Sequence, residues 1–156
     1  MSKKELIDKM EKSDFINNNN YKVEEIVENK SATIIGTLTN TSNNPYDIAH
    51  GGYIFGLGDT AMGVAASSTG KKAVTLSATI NYLKPATGKY LKAVAEIIKN
   101  GSSICYLRAN IYNDKELDVG DEVKCGTEHF NVVYNDGNKI HMLAKYNLDV
   151  GQIYNS

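Results

Sequence analysis

The sequence predicts an α+β domain, an antiparallel β-sheet wrapped around one long buried helix. Three observations predict it. His50-Gly51-Gly52 opens a run reaching Ala66 in which nearly every position is apolar or small, and a helix that is apolar all round is a buried one. The stretch from Ala73 to Leu83 alternates instead, with Val74, Leu76, Ala78, Ile80 and Tyr82 on one face and Thr75, Ser77, Thr79 and Asn81 on the other. That is the period-two pattern of a strand. Beyond it, Asn100-Gly101 and Asp136-Gly137 separate further apolar runs, and such pairs favour the type I′ turns that join antiparallel neighbours.

Each element follows in chain order. Ser2 to about Lys12 reads as a short amphipathic helix, because Ser2-x-x-Glu5 has capping-box spacing and Leu6, Ile7 and Met10 share a face. The run Asn17 to Asn20 ends it, since consecutive Asn side chains compete for the helical backbone. From Tyr21 to Thr39, Val23, Ile26, Val27, Ala32, Ile34, Ile35 and Leu38 are mixed with Thr and charged residues, giving two extended pieces joined at Glu28-Asn29-Lys30. Asn40 to Pro45 is a loop by composition. The buried helix comes next and ends at Ser67-Ser68-Thr69-Gly70. Strands are then expected at Ala73 to Leu83, Tyr90 to Lys99 and Ile104 to Tyr112, and a hairpin pairs Phe130 to Tyr134 with Ile140 to Tyr146. With no repeats and no linker, residues 1–156 read as one domain, of which 1–20 form an N-terminal helix and turn.

Composition narrows the function. Seventeen Lys+Arg against 18 Asp+Glu leave the chain nearly neutral, and Arg108 is its only arginine. Neither suits a nucleic-acid binder, which draws on basic patches and bidentate arginines. Cys105 and Cys125 form no C-x-x-C pair and read as reduced thiols. The first ten residues lack the apolar core of a signal peptide, and no apolar run approaches the ~18 residues of a membrane span. A cytoplasmic protein with no membrane and no nucleic-acid partner is therefore expected.

Asp59 is the informative residue. It stands about two turns inside the most apolar helix of the chain, where Asp is a poor helix former and a costly group to bury alone. Such a residue is kept because a partner satisfies it or because it acts; the same position also fits a carboxylate that faces water or caps a loop. The glycines upstream sharpen the first possibility. The first N–H groups of a helix have no internal partners and carry partial positive charge, so Gly51-Gly52 offers donors to an anion or a polarised carbonyl. Alone, the glycine pair fits a tight turn equally well.

Other motifs fail on context. Gly56-x-Gly58-x-x-Ala61 matches a dinucleotide fingerprint but lacks a strand feeding it and an acid near Thr79. Gly70-Lys71-Lys72 lacks the remainder of a P-loop, and His50, His129 and His141 have no metal-ligand spacing. No G-x-S-x-G elbow is present.

His50-Gly-Gly-x-x-Phe55-x-x-x-Asp59-Thr60-Ala-x-x-x-Ala-Ala, followed by Val74-Thr-Leu-Ser-Ala-Thr-Ile-Asn-Tyr-Leu-Lys-Pro-Ala86, resembles the hot-dog-fold acyl-CoA thioesterases of the phenylacetate, PaaI-like type. The resemblance covers about Asn44 to Tyr112 and, more loosely, the whole chain. It implies subunits joined edge to edge into dimers or dimers of dimers, with active sites at the interface. It implies Asp59 as catalytic carboxylate, nucleophile or general base, and Gly51 as the N–H that polarises the thioester carbonyl. His50 would support that loop, Asn44 would help hold water or the carboxylate, and Thr75, from the partner subunit, would position the water. Gly52, Phe55, Thr60, Tyr82 and Lys84 complete the implied substrate contacts, Lys84 and Lys89 being candidates for coenzyme A phosphates or ordinary solvated lysines. No metal or redox cofactor is implied; coenzyme A enters as part of the substrate.

Two departures stand out. The family commonly has Gly shortly before HGG, where this chain has Asp47-Ile48-Ala49. The acidic stretch Asp114 to Asp136 is longer than the usual link between the last strands, and reads as a loop or edge extension in preference to an extra hairpin over the groove. The expected activity is hydrolysis of an aryl- or medium-chain acyl-CoA. A non-catalytic acyl-CoA-binding module is the alternative, and a hot-dog dehydratase ranks last because its Asp/His pair is not visible.

Overall fold

The computed structural model describes residues 2–114 throughout and, beyond them, the strands at 122–125, 128–135 and 140–144. The chain divides into two compact units, Met1–Lys115 and Glu116–Ser156.

In the first unit, α1 (Lys3–Glu11) opens with the predicted capping box: the Ser2 hydroxyl takes the Glu5 N–H and the Glu5 carboxylate takes the Ser2 N–H. Those hydrogen bonds hold the Glu5 carboxyl below its ordinary pKa. Leu6 of α1 and Ile16 of α2 (Asp14–Asn18) turn inward. Strand β1 (Tyr21–Val27) and strand β2 (Ser31–Thr37) pair antiparallel, with Asn29 in the left-handed region at φ 57° between them. After a 3-10 turn at Asn40–Ser42 comes α3 (Gly51–Ser67), then β3 (Tyr90–Asn100) and β4 (Cys105–Asn113). The four strands form one antiparallel sheet in the order β1-β2-β3-β4.

Helix α3 lies on that sheet because both surfaces are small where they meet. Leu57, Ala61, Val64 and Ala65 of the helix are fully buried, as are Ala32, Ile34, Leu91, Ala93 and Ala95 of the strands. Gly36 of β2 lets the helix approach, since a methyl there would stand 2.8 Å from the Tyr53 hydroxyl and 3.2 Å from Leu57. Tyr21 and Tyr53 meet edge to face at 5.1 Å. The Tyr21 hydroxyl donates to the Tyr53 carbonyl, and the Tyr53 hydroxyl lies on the Asn19 and Thr37 carbonyls. Burial raises the Tyr21 pKa well above its ordinary value, with Tyr53 adding to the effect, and pushes Tyr53 up to about 12.

The α+β class and the helix-on-sheet packing agree with the sequence; two local expectations do not. Residues 73–83 make no ladder with any described strand. Their alternation survives only as half-buried Ala78 and Ile80, while Val74 is 95% and Leu76 83% exposed. A strand needs a neighbour's backbone as well as its own pattern, and none of the described strands supplies one. Asn100-Gly101 does not form a type I′ turn. Neither residue has positive φ, Asn100 pairs with Cys105, and the Gly101 N–H closes on the Ile104 carbonyl at 3.0 Å, so the loop is longer than two residues. In the second unit, β5 (Glu122–Cys125) pairs antiparallel with β6 (Glu128–Asn135), Cys125 opposite Glu128, so part of the acidic stretch is an edge strand, which agrees with an edge extension. Strand β6 pairs in turn with β7 (Ile140–Ala144), as expected; the Asp136-Gly137 turn lies outside the described residues. No helix among the described residues is long and apolar enough to cross a membrane.

Candidate active site

The first turn of α3 is a constructed donor site. His50 is its N-cap, in extended conformation, and its Nδ1 accepts the Gly52 N–H at 2.9 Å. That bond requires the imidazole tautomer with its proton on Nε2. The His50 N–H donates to the Ser42 carbonyl at 2.8 Å and the Ala49 N–H to the Ala86 carbonyl at 2.9 Å, so the cap is tied to the loops on both sides. No described residue accepts the Gly51 N–H, which leaves it as a free donor at the positive end of the helix.

The preceding loop is built by Asn44. Its Oδ1 accepts the Tyr46 N–H at 2.8 Å and the Ile48 N–H at 3.4 Å, and its own N–H reaches the Ile48 carbonyl. Asn43 and Ala49 bridge across the same turn. The Asn44 side-chain oxygen thus serves its own loop, which leaves its amide as the group free to meet water. Asp47 lies in the left-handed region at φ 58°, the conformation a glycine adopts without cost. The loop therefore closes without the glycine that the family commonly places here.

Asp59 sits half-buried two turns into α3. The Thr75 hydroxyl donates to its Oδ1 at 2.7 Å, and no described residue donates to its Oδ2. Thr75 belongs to the same chain as the carboxylate it orients, whereas the resemblance implies a partner's threonine. Gly52 and Phe55 are exposed and Thr60 half-buried; with Gly56 and Asp59 they lie three and four residues apart, on one side of the helix. Gly56 is kept clear by Tyr21 and Phe15, whose side chains a methyl there would meet at 3.1 and 3.3 Å.

Beside the first turn lies an open groove of about 350 Å³, lined by apolar Ile48, Ile54, Leu83 and Pro85, with Gly51, Tyr82 and Lys84 also on its wall. The Tyr82 hydroxyl donates to the Gly51 carbonyl at 2.9 Å. Sequence reading placed Tyr82 against substrate and missed this contact. No local signal reveals it, because the partners are 31 residues apart. Lys89 stands away from this group, its N–H bound by the Asp114 carboxylate.

The geometry places two features on one helix, a free N–H at Gly51 and an oriented carboxylate at Asp59. They are eight positions apart, about 12 Å along the axis at the rise of an α-helix.

Comparisons with known proteins agree on a family. The family model for the thioesterase superfamily matches residues 46–119. The acyl-coenzyme A thioesterase PaaI of Escherichia coli (strain K12) is 33% identical over 89 residues, which are 56% of this chain and 64% of that protein. The chain thus spans just under two thirds of that curated relative. The solved structure of the E. coli PaaI protein from the phenylacetic acid degradation operon superposes with a TM-score of 0.65 at 27% identity, covering 69% of this chain and 78% of that one. A hypothetical thioesterase protein of Streptococcus pneumoniae TIGR4, solved with coenzyme A, is 33% identical with a TM-score of 0.58, over 62% of this chain and 75% of that one. The same pneumococcal protein has been solved with an aspartate and, separately, a threonine replaced by alanine, 16 positions apart, the separation of Asp59 and Thr75 here. The free helix-terminal donor, the threonine-bound carboxylate on the same helix and the sheet beneath them agree with these matches: the chain has the hot-dog fold and is similar in sequence to the PaaI-like members of the thioesterase superfamily.

Proposed function

We propose that the protein hydrolyses acyl-CoA thioesters. The observation that carries this reading is the Thr75 hydroxyl on Asp59 Oδ1, which turns one carboxylate oxygen into a fixed anchor and leaves the other to act. As general base, Oδ2 takes a proton from water while the water oxygen bonds to the thioester carbon. The carbonyl oxygen becomes an oxyanion facing the Gly51 N–H. The tetrahedral adduct collapses, the C–S bond breaks, and the proton held by Asp59 returns to the departing thiolate. Thiolate is a good leaving group, so this spare set of groups is sufficient. Asn44 and His50 keep the loop and cap in place, and the Asn44 amide is placed to meet the attacking water.

The two features cannot serve one substrate from one chain. Each must lie about 3 Å from neighbouring atoms of a single carbonyl, yet they stand about 12 Å apart along α3. The site is therefore completed by a second copy, Gly51 from one chain and Asp59 from the other, which makes the working unit a homodimer or a dimer of dimers. The relatives support coenzyme A as the thiol portion: one is named an acyl-coenzyme A thioesterase and another is solved with coenzyme A. The open apolar groove beside Gly51, with Lys84 on its wall, supports an aryl- or medium-chain acyl group as the occupant, with Gly52, Phe55 and Thr60 as further contacts.

The test is thiol release from acetyl-, hexanoyl-, palmitoyl-, phenylacetyl- and hydroxybenzoyl-CoA by wild type and Asp59→Asn. Asp59→Asn is expected to lose at least about a hundredfold in kcat while retaining fold and oligomer. Wild-type rates from that variant would overturn the mechanism. Binding without turnover by the wild type would establish the acyl-CoA-binding module instead.

A further inference from the structure

We infer that Tyr82 is a positioning residue for the oxyanion donor. The inference rests on the thioesterase reading and deepens it. Two consecutive glycines are the most pliable backbone a chain offers, yet Gly51 must present its N–H in one fixed direction. The peptide unit between Gly51 and Gly52 is held at both ends. Its carbonyl accepts the Tyr82 hydroxyl at 2.9 Å, and its N–H donates to His50 Nδ1 at 2.9 Å. Each bond polarises the shared peptide in the sense that strengthens the other. The phenol also rests on Gly51 itself: a methyl there would meet the Tyr82 hydroxyl at 3.2 Å and its Cζ at 3.3 Å.

Tyr82 and Thr75 lie on the same segment between α3 and β3, which forms no ladder with the described strands. The segment is pinned to α3 at two points, Thr75 on Asp59 and Tyr82 on Gly51. One stretch of chain thus orients both the carboxylate and the donor. The Tyr82 side chain is 54% exposed, so it is held there by these contacts rather than by core packing.

The experiment compares wild type, Tyr82→Phe and Tyr82→Met by two readouts. The first is hydrogen exchange of the Gly51 and Gly52 amides in glycine-labelled protein, which needs no activity. The second is kcat and KM for the best acyl-CoA in the panel. Loss of the hydroxyl is expected to speed Gly52 exchange about tenfold and lower kcat about tenfold, with KM within about twofold. Tyr82→Met, which fills the space without a donor, carries the test where Tyr82→Phe does not fold. Unchanged exchange overturns the clamp. Faster exchange with unchanged kcat, or a change in KM alone, overturns the positioning role. A wild type without turnover whose exchange still responds to Tyr82→Phe overturns the thioesterase reading and leaves the clamp standing.

Discussion

Asp47 holds the left-handed backbone at φ 58° three residues before the helix cap. Asp tolerates that region better than most residues because its short side chain bonds locally, and a β-branched residue does not. Asp47→Val is expected to cost about 1–2 kcal/mol. Asp47→Gly should stay within about 0.5 kcal/mol, because relief of strain offsets the greater freedom of the unfolded chain. Denaturant midpoints read both. At this scale the sequence was legible where chemistry stood alone. Asp59 in an apolar helix and glycines at its start announced themselves. Asn44 did not, because its role is to receive the N–H groups of Tyr46 and Ile48, a local geometry that composition does not encode. Tyr82 was singled out as a substrate contact, while its hydroxyl works on a backbone carbonyl far along the chain.

Among the elements, α3 was readable at both ends because its cap and its terminating Ser/Thr/Gly run are local signals. Residues 73–83 were not, since alternation tells which face is apolar but not whether a neighbouring strand is there to pair. The tyrosines that seat α3 give the element a measurable pH response. Tyr21 and Tyr53 are held neutral in the folded chain, both with pKa values raised above 10.0, Tyr53 to about 12. A raised folded pKa gives stability that is fully present below pH 10 and is lost as pH rises toward the folded value. Stability should therefore fall between about pH 10 and about pH 12, and Tyr53→Phe should flatten that fall while lowering stability at neutral pH. Thermal midpoints across the alkaline range check it.

For the whole molecule, the proposed division of the site between two copies predicts complementation. Gly51→Pro removes the donor at the first helical position, where proline is welcome; Tyr82 must yield slightly to admit the ring. It is expected to fold and to lose about a hundredfold or more in kcat. Mixed with Asp59→Asn and reassembled, it should recover about a quarter of wild-type activity, since half the dimers are then mixed and each holds one intact site. Failure to recover from two well-folded variants that exchange subunits would place the whole site within one chain. The eight-residue spacing along α3 also bears on gene dosage. On the proposed two-copy site, a chain that has not met a second copy holds its acid about 12 Å from its own donor and leaves thioesters intact. In the dilute limit, where lone chains dominate, activity should follow the square of expression, so that halving the amount of protein quarters the hydrolysis.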